Sequence, residues 1–440
     1  MEQSPPKNSS VTIIGGGLAG SEAAFQLAER GIKVNLFEMR PLTNTEAHST
    51  AFLAELLCSN SLKSMDITNS NGLLKKELEL GNSLLIKIAY ETKVPSGNAL
   101  SVDRDLFSQK ITEIIETHPY IRVIREEVSE IPDTDSPVII ASGPLTSQKL
   151  AKKLEELTGS QLYFFDAISP IIDADSIDYS KCFFKSRYGK GEDDYLNCPM
   201  NREEYEIFYE ALIKSERVKF KDFEKMAVYE KCIPIEELAD RGIKTLLFGP
   251  MRPVGLEHPI SGEKYKAVIQ LRKENIEGTA YNIVGFQTKM TIESQKKVFR
   301  LIPGLENAEF LRFGSVHRNT YINSPKLLEK NYKMINKNIY FAGQISGVEG
   351  YVESIASGFT ASLDIFYRYF EKKDLSYPPD TALYSLQNYV STCQDKSFNP
   401  SNFHFGMLSP IDGIRDKKLK KEKMANRALE KIANFFEKLS

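Results

Sequence analysis

Residues 11–40 read VTIIGGGLAGSEAAFQLAERGIKVNLFEMR, and the parsing of this stretch decides the fold. Val11 to Ile14 is a short, largely β-branched run suited to a buried parallel strand. Gly15, Gly17 and Gly20 follow as G-x-G-x-x-G, with Gly16, Leu18 and Ala19 filling the turn. Ser21 to Arg30 is predicted as a helix that packs through Ala23, Ala24, Leu27 and Ala28 and stops at Gly31. Val34 to Phe37 is a second strand, ending at Glu38. Free N–H groups and the dipole at a helix N-terminus favour anions, and glycines let the backbone close on a pyrophosphate. Glu38 then stands where an acid can accept ribose hydroxyl hydrogens. The glycine motif alone is a weak signal. In register with both strands, the helix and the acid, it predicts a dinucleotide site.

Two downstream stretches select the dinucleotide. Residues 338–350, NIYFAGQISGVEG, read as a strand and a glycine-rich turn, and a helix rich in small residues begins at Tyr351. This resembles the element that closes the FAD site in two-dinucleotide flavoproteins. That likeness implies cofactor contacts from Gly343, Gln344, Gly347 and Tyr351. VIIASGPLTS (138–147) is similar to the strand that leads out of the nucleotide fold in the same proteins. The expected architecture is α/β: a discontinuous, Rossmann-like FAD-binding domain of the glutathione-reductase type. Its first part spans 1–160 and its second 325–440, the latter with a basic C-terminal helix. A mixed α/β domain for substrate or RNA occupies 161–324.

Composition supports an ordinary globular chain of 440 residues, 41% hydrophobic and 26% charged. No apolar run approaches membrane-spanning length, and the N-terminus is not a secretory signal. The five cysteines (58, 182, 198, 232 and 393) form no CxxC pair, which argues against structural zinc, and no metal is expected. Dispersed, odd-numbered thiols fit a reducing cytoplasm. The net charge of −2 carries no global nucleic-acid signal, but residues 415–438 hold nine Lys/Arg against four Asp/Glu. Lys417, Lys418, Lys420 and Lys421 are therefore candidate contacts to RNA phosphates, or else the solvated face of a packed amphipathic helix.

AFLAELLCSNSLKS (51–64) places Cys58 in a polar turn after a predicted helical AFLAELL. KCIPIEELADRG (231–242) sets Cys232 just before a helix, where a thiol pKa can fall toward neutrality. For these two, reactive thiol and small buried hydrophobe both stay open. Cys182, Cys198 and Cys393 read as buried hydrophobes.

Over nearly its whole length the chain resembles the folate- and FAD-dependent uracil-5 RNA methyltransferases. The matching segments include IIGGGLAGSEAA, ELLCSNSLKS, ALSVDRDLFS, CIPIEELADRG, FGPMRPVGL, YNIVGFQTKMT, RFGSVHRNTYINSP and YFAGQISGVEGYVESIASG. The resemblance implies C5-methylation of a T-loop uridine in tRNA. The one-carbon donor would be 5,10-methylenetetrahydrofolate and the reductant NADPH or NADH. It implies Cys232 as the thiol that adds to uracil C6 and Cys58 as a thiol beside the flavin. Tyr351 is an aromatic lid or an ordinary core tyrosine that starts the last helix, and Glu349 or Glu353 is a base, a folate-orienting group or simply a partner of the helix dipole. Arg318, within a His317–Asn319 cluster expected in a loop, is a contact to a phosphate or to the folate glutamate carboxylate, or else part of a structural salt bridge. Neither a membrane nor an obligatory protein partner is implied. Two positions depart from the family pattern, Ile292 in place of an aromatic and Ser409 in place of a proline.

Three alternatives compete. A plain NAD(P)H:FAD oxidoreductase would turn over without RNA or folate. A wobble-uridine flavoprotein would be expected to carry a further helical domain for which 440 residues leave no room. The same chemistry could act on ribosomal RNA.

Overall fold

The computed structural model describes residues 10–45, 47–159, 162–189, 192–218, 233–394 and 398–439, with 162–166, 317 and 318 described by backbone alone. Its first sheet has five parallel strands. They run in the order Ile339–Phe341, Val138–Ile140, Val11–Ile14, Val34–Glu38 and Ile121–Arg125. The edge strand Ile339–Phe341 pairs with Val138–Ile140 from some 200 positions upstream. The nucleotide fold is thus discontinuous.

The first helix, Leu18–Ala28, begins three residues before its predicted start, with Gly17 as its N-cap. The last motif glycine therefore lies inside the first turn, and sterics explain why. A Cβ on Gly20 would sit 1.9 Å from the Gly15 carbonyl oxygen, so only glycine lets the helix rise directly off the strand. Gly15 has φ +106°, a conformation L side chains rarely adopt. Nearly every residue of this helix is buried, because the helix Tyr351–Ile365 covers its outer side. The two approach so closely that a Cβ on Gly358 would fall 2.1 Å from the Ala19 carbonyl oxygen.

The helix predicted over AFLAELL does not form. Ala54 has φ 53°, and the backbone groups are committed elsewhere. Leu53 N–H donates to Thr112 Oγ1 (2.8 Å), and Ala54 N–H donates to the Gly16 carbonyl (2.9 Å). Leu53, Ala54 and Leu56 are fully buried, so tertiary contacts override the helix propensity of the segment.

A second, antiparallel sheet has six strands: Phe183–Phe184, Leu196–Met200, Ala267–Lys273, Ala280–Ile283, Ile171–Asp173 and Phe310–Arg312. The His317–Asn319 cluster lies in a strand, not a loop. Val316–Tyr321 pairs with Leu162–Ala167, a partner some 150 residues upstream that local pattern cannot reveal. Buried apolar residues form one core from residues 11–154 and 322–432, and another from 172–308. Cys198 is fully buried in the second core, with its Sγ 3.5 Å from that of Cys182.

The C-terminal helix Lys417–Glu437 buries Met424, Ala425, Ala428 and Ile432, and Phe436 meets Phe359 edge-on at 5.9 Å. Among the described residues, no helix is long and apolar enough to cross a membrane, and no cluster could hold a metal ion.

Candidate functional site

A long cleft opens at the C-terminal edge of the parallel sheet. Gly15, Gly17, Leu18 and Ala19 line its middle, Glu38 and Arg40 one end, and Cys58, Asn319, Gly343, Gln344 and Tyr351 the other. The first helix points its N-terminus into this cleft with no side-chain cap and no acid in its first turn. A Cβ on Gly17 would meet nothing within 4 Å, so the wall there is bare backbone. Unclaimed donors, a favourable dipole and close backbone access are what a pyrophosphate needs. The residues therefore fit a dinucleotide.

The other fingerprint glycines are structural partners of this wall. Gly16 N–H donates to Glu38 Oε2 (3.0 Å). Gly20 packs on Gly15, and Gly347 packs on the Phe398 ring and lines no part of the cleft. Glu38 Oε1 accepts from Arg40 N–H (3.0 Å) and Nε (2.9 Å). Burial opposes its charge, but Arg40 and the Gly16 N–H prevail and hold the carboxyl below its usual range. With three acceptor positions occupied, about one remains for a ribose hydroxyl. Arg40 itself is 1% exposed and bridges Glu38 to Glu55 at 2.9 Å on each side. Sequence reasoning missed it, although FEMR sets it two residues beyond the acid.

His48 lines the cleft beside this pair. Burial, with the Arg40 and Arg312 cations against the opposing pull of Glu55 and Glu38, lowers its imidazole from 6.5 to about 4. Between these values the unfolded chain takes a proton that the folded protein refuses. Stability therefore falls as pH drops through the window, by about 3 kcal/mol in full. We expect the melting temperature to decline from pH 6.5 to 4, less steeply in His48→Gln. Superimposable pH profiles for the two proteins would refute the assignment.

The segment 56–60 is clamped from several elements. Tyr351 Oη accepts from Cys58 N–H (2.7 Å) and Ser59 N–H (3.1 Å). Arg104 Nη1 donates to the Leu56 and Leu57 carbonyls, while its Nε and Nη2 hold Glu274 Oε2 at 3.1 and 2.9 Å. Arg272 Nη2 donates to Ser59 Oγ (2.8 Å), and Asn60 Nδ2 donates to the Lys273 carbonyl (2.9 Å). Cys58 is thereby fixed where the cleft meets a second, polar cavity. Cys58, Gln344, Tyr351 and Ser354 line both spaces. Burial and the nearby Cys58 push the Tyr351 phenol up, so the hydroxyl keeps its proton while accepting two N–H groups. Gln344 Nε2 donates to Glu349 Oε2 (2.6 Å), and Asn71 Nδ2 donates to Glu353 Oε1 (3.2 Å). Gln344 and Tyr351 stand in the glycine-rich closing element, whereas nothing in the sequence marks Arg272 and Glu274 as part of the clamp.

Sequence relationships fit this geometry. The pattern of the Glucose inhibited division protein A family matches residues 10–373. The chain is 52% identical over 430 residues to the methylenetetrahydrofolate--tRNA-(uracil-5-)-methyltransferase TrmFO of Natranaerobius thermophilus, covering 97% of this chain and 99% of that one. It is 55% identical over 423 residues to the TrmFO of Aquifex aeolicus, covering 96% and 95%. The chain belongs to the TrmFO family. A more distant likeness, to the crystal structure of Aquifex aeolicus GidA, has a TM-score of 0.71 at 16% identity, covering 98% of this chain and 73% of that one. It shows a shared fold that spans nearly the whole TrmFO-family chain.

Within this TrmFO-family structure the remaining candidates separate. Cys232 lies outside the described residues. Arg318 is placed only as backbone in the strand Val316–Tyr321. Lys417, Lys418 and Lys421 are exposed on the first turns of the C-terminal helix, with Lys420 half-buried. Lys417, Lys420 and Lys421 border a shallow depression with Phe405, and no residue is common to it and the cleft.

Proposed function

We propose that this protein methylates C5 of a uridine in tRNA, using 5,10-methylenetetrahydrofolate as one-carbon donor, FAD as cofactor and NADPH or NADH as reductant. The observation that carries the reading is the meeting of a dinucleotide cleft and a polar cavity at Cys58 and Tyr351, in a chain of this family. When bound, FAD supplies the redox chemistry that turns a methylene into a methyl group. The chain supplies the rest. Gly15, Gly17, Leu18 and Ala19 cradle the pyrophosphate, Glu38 takes the ribose, and Gly343, Gln344 and Tyr351 border the flavin end.

Cys232 adds as thiolate to uracil C6, which raises electron density at C5. Ile235, three residues on, donates its N–H to the carbonyl of Gln287, a residue of the polar cavity, which supports that role. Cys58 serves beside the flavin. The cores from 11–154 with 322–432 and from 172–308 support a FAD domain in two parts, 1–160 and 325–440, around a substrate domain at 161–324. The lysines of the C-terminal helix and Arg318 meet RNA phosphates. The enzyme works in the cytoplasm without an obligatory protein partner.

The test combines purified protein, labelled methylenetetrahydrofolate, NADPH, and unmodified tRNA or ribosomal RNA. Label is expected in tRNA only. Wild-type protein is expected to form a covalent adduct with tRNA bearing 5-fluorouridine, and Cys232→Ala to form none. An intact adduct in Cys232→Ala would reverse the cysteine roles. Label in ribosomal RNA alone would change the substrate.

A further inference from the structure

The wall of the polar cavity formed by the six-stranded sheet carries two side chains whose chemistry is incomplete. Arg272 is 6% exposed. Its Nε donates to Asn60 Oδ1 (3.0 Å) and its Nη2 to Ser59 Oγ (2.8 Å), and it also meets the Tyr195 hydroxyl, all three neutral partners. Among the described residues no carboxylate lies within salt-bridge distance of it, and nearby Glu274 is taken by Arg104. A buried cation without a counter-charge is costly unless something negative or strongly polar arrives to meet it.

Directly opposite on the paired strand is Asn282, 3% exposed, with a buried Nδ2 that has no acceptor. Buried amides seldom lack partners, and those that do need an explanation. Cross-strand partners stand about 5 Å apart at Cβ, so the two heads face the cavity side by side. Cys58, Ser59 and Tyr351 line the same space.

We infer that Arg272 and Asn282 together recognise the imide edge of the target uracil and hold the charge that develops on it. This rests on the methyl-transfer reading above. The imide edge presents carbonyl, N–H and carbonyl in a row. A carboxamide pairs with N3–H and one carbonyl, and a guanidinium beside it donates to the other, O4. When a thiolate adds to C6, a sulfur–carbon bond forms and the C5=C6 electron pair moves toward C4. The C4=O π pair then rests on O4 as an enolate, and Arg272 is a fixed cation at that oxygen. Cytosine offers an amino group at the same place, so Arg272 would oppose a donor with a donor. The pair thus sets pyrimidine specificity as well as rate.

The test uses flavin-loaded full-length enzyme and T-loop tRNA carrying uridine or 4-thiouridine at the target. Arg272→Gln is expected to lower kcat about 10²–10³-fold, with the KM for tRNA and the flavin spectrum little changed. Arg272→Lys recovers part of the rate. Asn282→Ala lowers kcat/KM about tenfold. The decisive readout is the uridine to 4-thiouridine rate ratio, which probes O4 alone. It shifts about tenfold in Arg272→Gln, or in Arg272→Lys should the glutamine variant fail to fold. An unchanged ratio, or Arg272→Gln working at the wild-type rate, overturns the inference. A wild-type enzyme that labels no uridine from folate would instead sink the methyl-transfer reading itself.

Discussion

A Gly358→Ala protein is expected to purify colourless and to show no detectable methyl transfer. The added carbon would stand 2.1 Å from the Ala19 carbonyl oxygen and 2.9 Å from Ala19 Cα, both backbone atoms of the helix turn that lines the cleft. No flexible side chain can yield, so either the closing helix moves outward or the first turn is displaced. Overpacking of a tight core typically costs about 1–3 kcal/mol, and the upper end applies where the obstacle is main chain. The damage is also directional. It shifts the backbone N–H groups of the cleft wall, and it loosens Gly343, whose N–H is held by Ser357 Oγ at 2.6 Å on the same closing helix. Absorbance near the flavin band, with a thermal melt, checks both effects. A yellow, fully active variant would mean the helices tolerate more separation than their contact suggests.

Arg104→Ala is expected to lose about 3–5 kcal/mol of stability, together with methyl transfer. The arginine ties the Leu56 and Leu57 carbonyls to Glu274, and both charged side chains are largely buried. Removing it strands the Glu274 carboxylate, whose Oε1 already lacks a partner. It also releases the segment that fixes Cys58. Urea unfolding should show a lower midpoint with an unchanged slope. Replacing both residues by methionine should recover much of the stability but not the activity, because the apolar pair removes the stranded charge without restoring the clamp. Activity in that double variant would show that Cys58 needs no such restraint.

The parts of the molecule legible in the sequence are those encoded locally. The glycine fingerprint, Glu38 and the closing strand-turn-helix each carry their meaning within a few residues, and the sheet and cleft assemble from them. The turn at 51–57 departs from the helix its sequence predicts because its backbone partners, Gly16 and Thr112, lie far off in sequence. Propensity alone favours a helix there. Tyr351 was readable as a cleft residue, yet its bonds to Cys58 and Ser59 span more than 290 positions. Arg40, Arg104, Arg272 and Asn282 escaped notice for the same reason. A single arginine or asparagine has no pattern until folding brings its partners together. The C-terminal lysines stood out through charge density, but density does not say what a face meets.

The edge strand Ile339–Phe341 has a consequence for how the protein is made. A nascent chain emerges from the ribosome N-terminus first, and its glycine turn is finished hundreds of residues before the segment that walls off the far end of the cradle. Until that segment arrives, a half-built polypeptide has nowhere to keep its yellow pigment. Colour in a cell extract would then act as a certificate of completion, borne by finished molecules and withheld from prematurely terminated ones.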